Sequence, residues 1–284
     1  MSKVQVPFFS ESAIHLAHVC ALETWQGYSY STGKQFSEAL TVHNRVTKTN
    51  ASKIIVLSDE YFMGRLSTQL FSIIKPKDFK NTFPINDSFL DGFRKVAGIK
   101  QTERRGPKPS YAGGIAFLKK QIADDYRKYQ KLNDIAGKKL EAISYANNLS
   151  IAFTEQKIPD TLTSEHVMLA TRLLFFTMPN CLIFNYSPEI AKGLKLSGNA
   201  EKDIADFQEA MWEGLMLNWA TLCKYDMPLP KHLNSYVYDV AKKSGWWQRR
   251  IFDLALKHTF TKGNNLKLSE RVKFSLFIKP YPIV

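Results

Sequence analysis

The stretch Thr171–Leu194, TRLLFFTMPNCLIFNYSPEIAKGL, decides how this chain folds. Leu173, Leu174, Phe175 and Phe176 form an apolar run too dense to face water, which predicts a helix central to a core. Met178-Pro179-Asn180 ends it, because proline has no N–H to donate and its ring clashes with the preceding turn. Leu182, Ile183 and Phe184 then read as buried extended chain. Ser187 offers a side-chain acceptor to the free N–H groups that open a second helix, Pro188 suits its first position, and Glu189 complements the positive end of its dipole. Asn185, Tyr186 and Ser187 are therefore expected at a helix mouth that favours anions.

Working outward, 284 residues with 44% hydrophobic and 13% aromatic side chains can bury a substantial core in one large domain or two small ones. Thirty-nine Lys and Arg against 26 Asp and Glu leave a formal charge of +13, which suits a polyanionic partner such as nucleic acid or, more simply, a solvated basic surface. No apolar run approaches the roughly 18–20 residues that span a bilayer, and no basic amphipathic terminus stands out, so no membrane partner is expected. The opening MSKVQVPFFSESAIHLAHVC has no signal-peptide shape, which predicts a cytoplasmic protein. Cys20, Cys181 and Cys223 are odd in number and widely spaced, fitting reduced thiols better than a disulfide framework or structural zinc. His15 and His18 share a helix face, but no acid or cysteine is placed to complete a metal site, so no metal is assigned. Ser31-Thr32-Gly33-Lys34 lacks the rest of a phosphate loop and reads as a turn.

Apolar spacing of three or four dominates the chain and predicts a mainly α fold. A capped helix is expected from Ser10 to Leu22, a β-branched strand at Lys53–Leu57, and a connector at Lys75–Asn86 with a helix starting at Asp87. Gln101–Gly114, QTERRGPKPSYAGG, reads as a loop whose Arg104, Arg105 and Lys108 either lie along phosphates or face solvent between domains. A boundary near Pro107–Pro109 would divide residues 1–106, a mixed helical part, from residues 107–284, a helical domain. A long amphipathic helix follows from Ile115, with a break at Gly137. Ala200–Cys223 reads as a further helix with Trp212 and Trp219 as core anchors. Leu233–Lys242 and Trp246–His258 follow, separated by Lys243-Ser244-Gly245. In the last of these, Trp246, Trp247, Arg249 and Arg250 can grip a nucleic-acid strand by stacking and phosphate pairing, while Arg250 and Asp253 can equally form a structural i, i+3 ion pair.

The segment IFNYSPEIAKGL, residues 183–194, resembles the helix-hairpin-helix DNA glycosylases, most closely the bacterial proteins with an 8-oxoguanine-glycosylase fold, in which a segment like F-P-I-x-D-S-x-V precedes a helix. The resemblance spans Ile158 to Phe260, sets Ile190, Ala191 and Leu194 on the helix, and puts Ser187 where the family has its catalytic Asp. Ile158-Pro159-Asp160-Thr161-Leu162 stands where the L-P-G-x-G hairpin would lie, with neither glycine present. FPINDSFL, residues 83–90, echoes the same pattern outside the matching order of elements and is read as coincidence.

The resemblance implies a helical glycosylase-like bundle with a small mixed N-terminal part, DNA as partner, and hydrolytic removal of a modified base without a cofactor. Members of this fold group occur in bacterial defence loci, which extends the implied targets to phage-modified bases, including hypermodified cytosine. With Ser187 in place of Asp, the carboxylate must come from Asp160, Asp253, Asp239 or Glu189; Asp253 leads because it follows the WWQRR cluster. Asn185 and Tyr186, with Trp246 and Trp247, are the expected base pocket. Lys192 lies beyond the turn and is not assigned the Schiff-base role. The competing expectation is a non-catalytic DNA-binding or assembly subunit that keeps the fold and the charge. A nuclease is disfavoured because no paired-acid metal motif stands out in the chain.

Overall fold

The computed structural model describes residues 8–26, 28–29, 56–57, 63, 87, 90, 93–94, 99, 111–131, 134–154, 163–197, 199–229 and 235–260. Within them the chain is mainly α-helical. Helix α1 (Glu11–Gln26) starts where Ser10 Oγ accepts from the Ala13 N–H at 3.3 Å, as the capping pattern predicts. Tyr28–Ser29 (β1) then pairs antiparallel with Val56–Leu57 (β2), the end of the β-branched run. The connector, the greater part of the Gln101–Gly114 segment and the Pro107–Pro109 boundary lie outside the described residues.

Helices α2 (Ala112–Lys131) and α3 (Ile135–Thr154) pack side by side. Helix α2 begins sooner than expected, so Ala112, Gly113 and Gly114 are helical and not loop. Tyr111 N–H, just ahead of it, donates to Asp87 Oδ1 at 2.8 Å. Gly114 is needed for contact with α3: a Cβ there would lie 2.1 Å from the Phe153 ring. The break between these helices falls ahead of Gly137. Asp134 accepts from Ala136 and Gly137 N–H groups at 3.1 and 2.6 Å, and this cap places Gly137 in the first turn of α3.

The decisive stretch folds largely as its sequence predicts. Helix α4 (Ser164–Thr177) buries Leu173, Leu174, Phe175 and Phe176, and its terminal N–H bond runs from Met178 to Leu174. Extended chain follows, then α5 (Pro188–Gly193) with Ser187 as N-cap, accepting from the Ile190 N–H. Beyond lie α6 (Ala200–Leu217), α7 (Trp219–Leu222), α8 (Ser235–Lys243) and α9 (Trp246–Phe260). The expected continuous helix through Cys223 is interrupted at Asn218, whose amide donates to Gly214 O at 2.8 Å and accepts from Phe9 N–H at 2.9 Å. Between α8 and α9, Gly245 adopts φ 64°, a left-handed turn that any Cβ would strain.

Helix α9 contacts α1, α5, α6, α7 and α8, and this encirclement explains why it is buried on nearly every side. Trp246 packs against Phe175, Phe176, Trp25 and Trp247, and its indole N–H donates to Phe175 O at 2.9 Å.

The buried extended segment 179–186 has no β partner among the described residues, yet its backbone polar groups still require hydrogen bonds. Side chains supply them. Arg249 donates to the carbonyls of Pro179, Cys181 and Ile183 at 2.6–2.8 Å, and Gln208 both accepts from Phe184 N–H and donates to Phe184 O. Tyr186 N–H donates to Thr171 Oγ1 at 3.0 Å. This side-chain ladder ties the segment to α9 through Arg249, to α6 through Gln208 and to α4 through Thr171, and determines what Asn185 meets.

Candidate functional site

Asn185, at the end of the ladder, points its amide to Asp253 on α9, and Nδ2 lies 3.3 Å from Oδ2. Lys257 Nζ and Arg250 Nη1 reach the same oxygen at 2.8 and 3.3 Å, one turn and slightly less away on the helix. Arg172 of α4 adds a fourth influence, its charge acting on both Asp253 and Lys257. Asp253 is wholly buried, as is Asn185 apart from 1% of its surface. Asp253 Oδ1 and Asn185 Oδ1 have no hydrogen-bond partner among the described residues.

Burial is the strongest single influence on Asp253 and opposes ionisation, but Lys257, Arg250 and Arg172 together outweigh it and hold the carboxyl below the usual carboxylate range. The acid is therefore an anion at neutral pH. Lys257 is pulled down to about 8, first by burial and then by Arg172 and Arg250, against the opposing pull of Asp253. With 19% of its side chain exposed, Lys257 is the rim of the cluster, beside the more enclosed Arg250 at 9%.

The helix mouth of α5 differs from its expected role. Ser187 Oγ donates to Glu189 Oε2 at 2.8 Å while accepting from Ile190 N–H, so the helix end already holds its own carboxylate and is not an anion site. Tyr186 packs on Phe207 with its hydroxyl buried and without a partner among the described residues. Burial, with Asp203 and Glu189 nearby, pushes this phenol far above its ordinary value and keeps its proton in place.

Trp246 and Trp247 are core residues with at most 1% exposure, enclosed by aromatic side chains and unable to stack on a strand in this structure. Arg249 is fully buried on backbone carbonyls, which removes its guanidinium from any phosphate. Of the two readings of Arg250, the ion pair to Asp253 is formed. Asp239 and Glu189 are exposed, on α8 and α5. Asp160, Arg104, Arg105 and Lys108 lie outside the described residues. His15 and His18 contact Tyr225, and burial followed by the neighbouring His15 charge lowers His18 to about 4, which keeps it neutral.

Two participants escaped the sequence reading. Lys257 was signalled by its i, i+4 position after Asp253, whereas Arg172 reaches the cluster only through the packing of α4 near α9. Trp212 and Trp219, expected as core anchors, are partly buried and line a groove of about 670 Å³.

No family model, curated protein or solved structure matches this chain. Within the described residues, the fold and geometry define a mainly helical protein with a buried, cation-held carboxylate beside an extended segment. Among the described residues, no helix is long and apolar enough to cross a membrane.

Proposed function

We propose that this protein is a DNA glycosylase that removes a modified nucleobase by hydrolysing its N-glycosidic bond, with phage-modified DNA among its targets. The observation that carries the reading is the state of Asp253: an anionic carboxylate with Oδ2 held by Asn185, Arg250 and Lys257, and Oδ1 without a partner among the described residues. Buried polar atoms are nearly always satisfied, so an open acceptor on a buried anion is a candidate for chemistry.

Cleavage of the glycosidic bond builds cationic character on the sugar, and a fixed anion in a site that excludes water stabilises that charge more than one in bulk solvent. Asp253 supplies the anion. Asn185, bonded to it, orients the carboxylate and offers its own open Oδ1 to a base edge or to the attacking water. Arg250 and Lys257 keep the acid ionised, and the +13 charge favours a polyanionic substrate. Because Asp253 is wholly buried, the reading requires the cluster to open to substrate; Lys257, 19% exposed, is the most exposed of the side chains bonded to it.

That same burial favours a second reading, a DNA-binding subunit in which the cluster is only structural. Incubation with plain DNA and with DNA carrying modified bases, followed by alkali, separates them. Strand breaks on the modified DNA alone are expected for base excision; intact DNA together with tight, salt-sensitive binding identifies the binding subunit.

A further inference from the structure

The groove of about 670 Å³ opens among the start of α3, the later part of α6, α7 and the α8–α9 junction. Two of its walls are the indoles of Trp212 and Trp219, and its charged lining residues are Lys138, Lys139 and Lys243, with no Asp or Glu among the residues that line it. Lys139 Nζ lies 4.4 Å from the Trp212 ring centroid, so a flat aromatic surface and a cation sit within a few ångströms of each other. Lys243, exposed at the end of α8, also lines the groove. Gly245 forms the floor beside Trp219, where even a Cβ would approach the indole edge to 3.2 Å.

Aromatic faces bordered by cations and free of acids complement a ligand that joins a flat ring to a negative charge. We propose that this groove binds a nucleotide unit, its base stacked on Trp212 or Trp219 and its phosphate held by Lys139 and Lys243. The volume falls in the range of small-molecule pockets, roughly 300–1,000 Å³, and base stacking on an aromatic side chain is worth about ten- to hundred-fold in affinity. An apolar peptide or lipid tail would use Met216 and Leu182 but leave the lysines idle. The site is separate from the Asp253 cluster: Asp253 lies eight positions after Gly245, about 12 Å along the axis of α9. It rests on no assumption about base excision.

Of the five tryptophans, Trp25, Trp246 and Trp247 are at most 1% exposed, so fluorescence quenching reports mainly on the groove. The full chain is titrated at low salt with an eight-residue oligothymidylate and, separately, with thymidine monophosphate. Saturable quenching by both assigns the groove to single nucleotides; quenching by the oligomer alone assigns it to a nucleic-acid strand. Either supports the proposal, provided that Lys139→Glu/Lys243→Glu weakens binding at least about tenfold and the control pair Lys119→Glu/Lys120→Glu, exposed on α2, weakens it much less. Absence of saturable quenching by either probe overturns it. So does equal loss in the two charge-reversed pairs, or full retention of binding in the first pair and in Trp212→Leu. Because these readouts do not involve base removal, their failure leaves the alkali assay of Asp253 chemistry standing, and the converse also holds.

Discussion

Asn185 and Asp253 stand 68 positions apart in the chain and 3.3 Å apart in the structure, joined by a buried amide-to-carboxylate hydrogen bond. The contact depends on the extended segment being held to α9 by Arg249 and to α6 by Gln208. Loss of either ladder residue therefore disturbs the candidate site as well as the fold.

Arg249→Leu removes the donor from three buried carbonyls, each of which then bears a desolvation penalty of about 1–3 kcal/mol. The expected loss exceeds about 3 kcal/mol in urea unfolding. Arg249→Lys rescues little, since a single ammonium lacks the planar fork of donors. A change below about 1 kcal/mol for Arg249→Leu would remove the ladder from the account.

Trp246→Ala should cost about 3–5 kcal/mol, the usual range for deleting a buried aromatic, whereas the part-exposed Trp219 should cost clearly less on the same substitution. Thermal or urea melts of the two variants check this order. Equal losses would contradict the contrast between the enclosed Trp246 and the part-exposed Trp219.

Gly114→Ala gains helix propensity but forces a methyl against the Phe153 ring, and the clash wins, with a net loss of about 1–3 kcal/mol or more. Phe153→Leu beside it should relieve the clash. A double-mutant cycle with a coupling near zero would show that α2 and α3 do not meet there.

The cluster predicts an uneven response to alkali. Lys257 has a folded-state value of about 8 against an ordinary 10.5, so its charged form is disfavoured on folding and stability rises as pH climbs from about 8 to 10.5. Asp253 has the opposite pattern: its depressed value contributes stability above the ordinary carboxylate range, which is lost as pH falls through and below it. Subtracting the urea-derived stability of Lys257→Met from that of the wild type should leave a difference that shifts in favour of the wild type between pH 8 and 10.5. A flat difference would mean that Lys257 titrates normally.

Local signals were legible where the chain carries them within a few residues. Ser187-Pro188-Glu189 announced its helix because capping, proline geometry and dipole all act within one turn, and Gly245 marked the α8–α9 turn for a similar reason. The tryptophans misled because the pattern Trp-Trp-Gln-Arg-Arg reads as half polar, yet α9 is encircled and Arg249 finds its partners on carbonyls 66–70 positions earlier. Asp253 is legible as a candidate from its closeness to that cluster. Its actual neighbour, Asn185, and the influence of Arg172 come from tertiary packing, which no spacing encodes. The same holds for the groove, assembled from α3, α6, α7 and α8.

The carboxylate of Asp253 is tested most directly by Asp253→Asn, which keeps the side-chain shape and removes the anion. On DNA bearing the modified base, the wild type should produce alkali-labile sites, and the variant, verified as folded by circular dichroism, should release base at least about 100-fold more slowly. Wild-type rates in the folded variant, or a wild type that leaves every modified DNA intact while binding it tightly, would contradict the account.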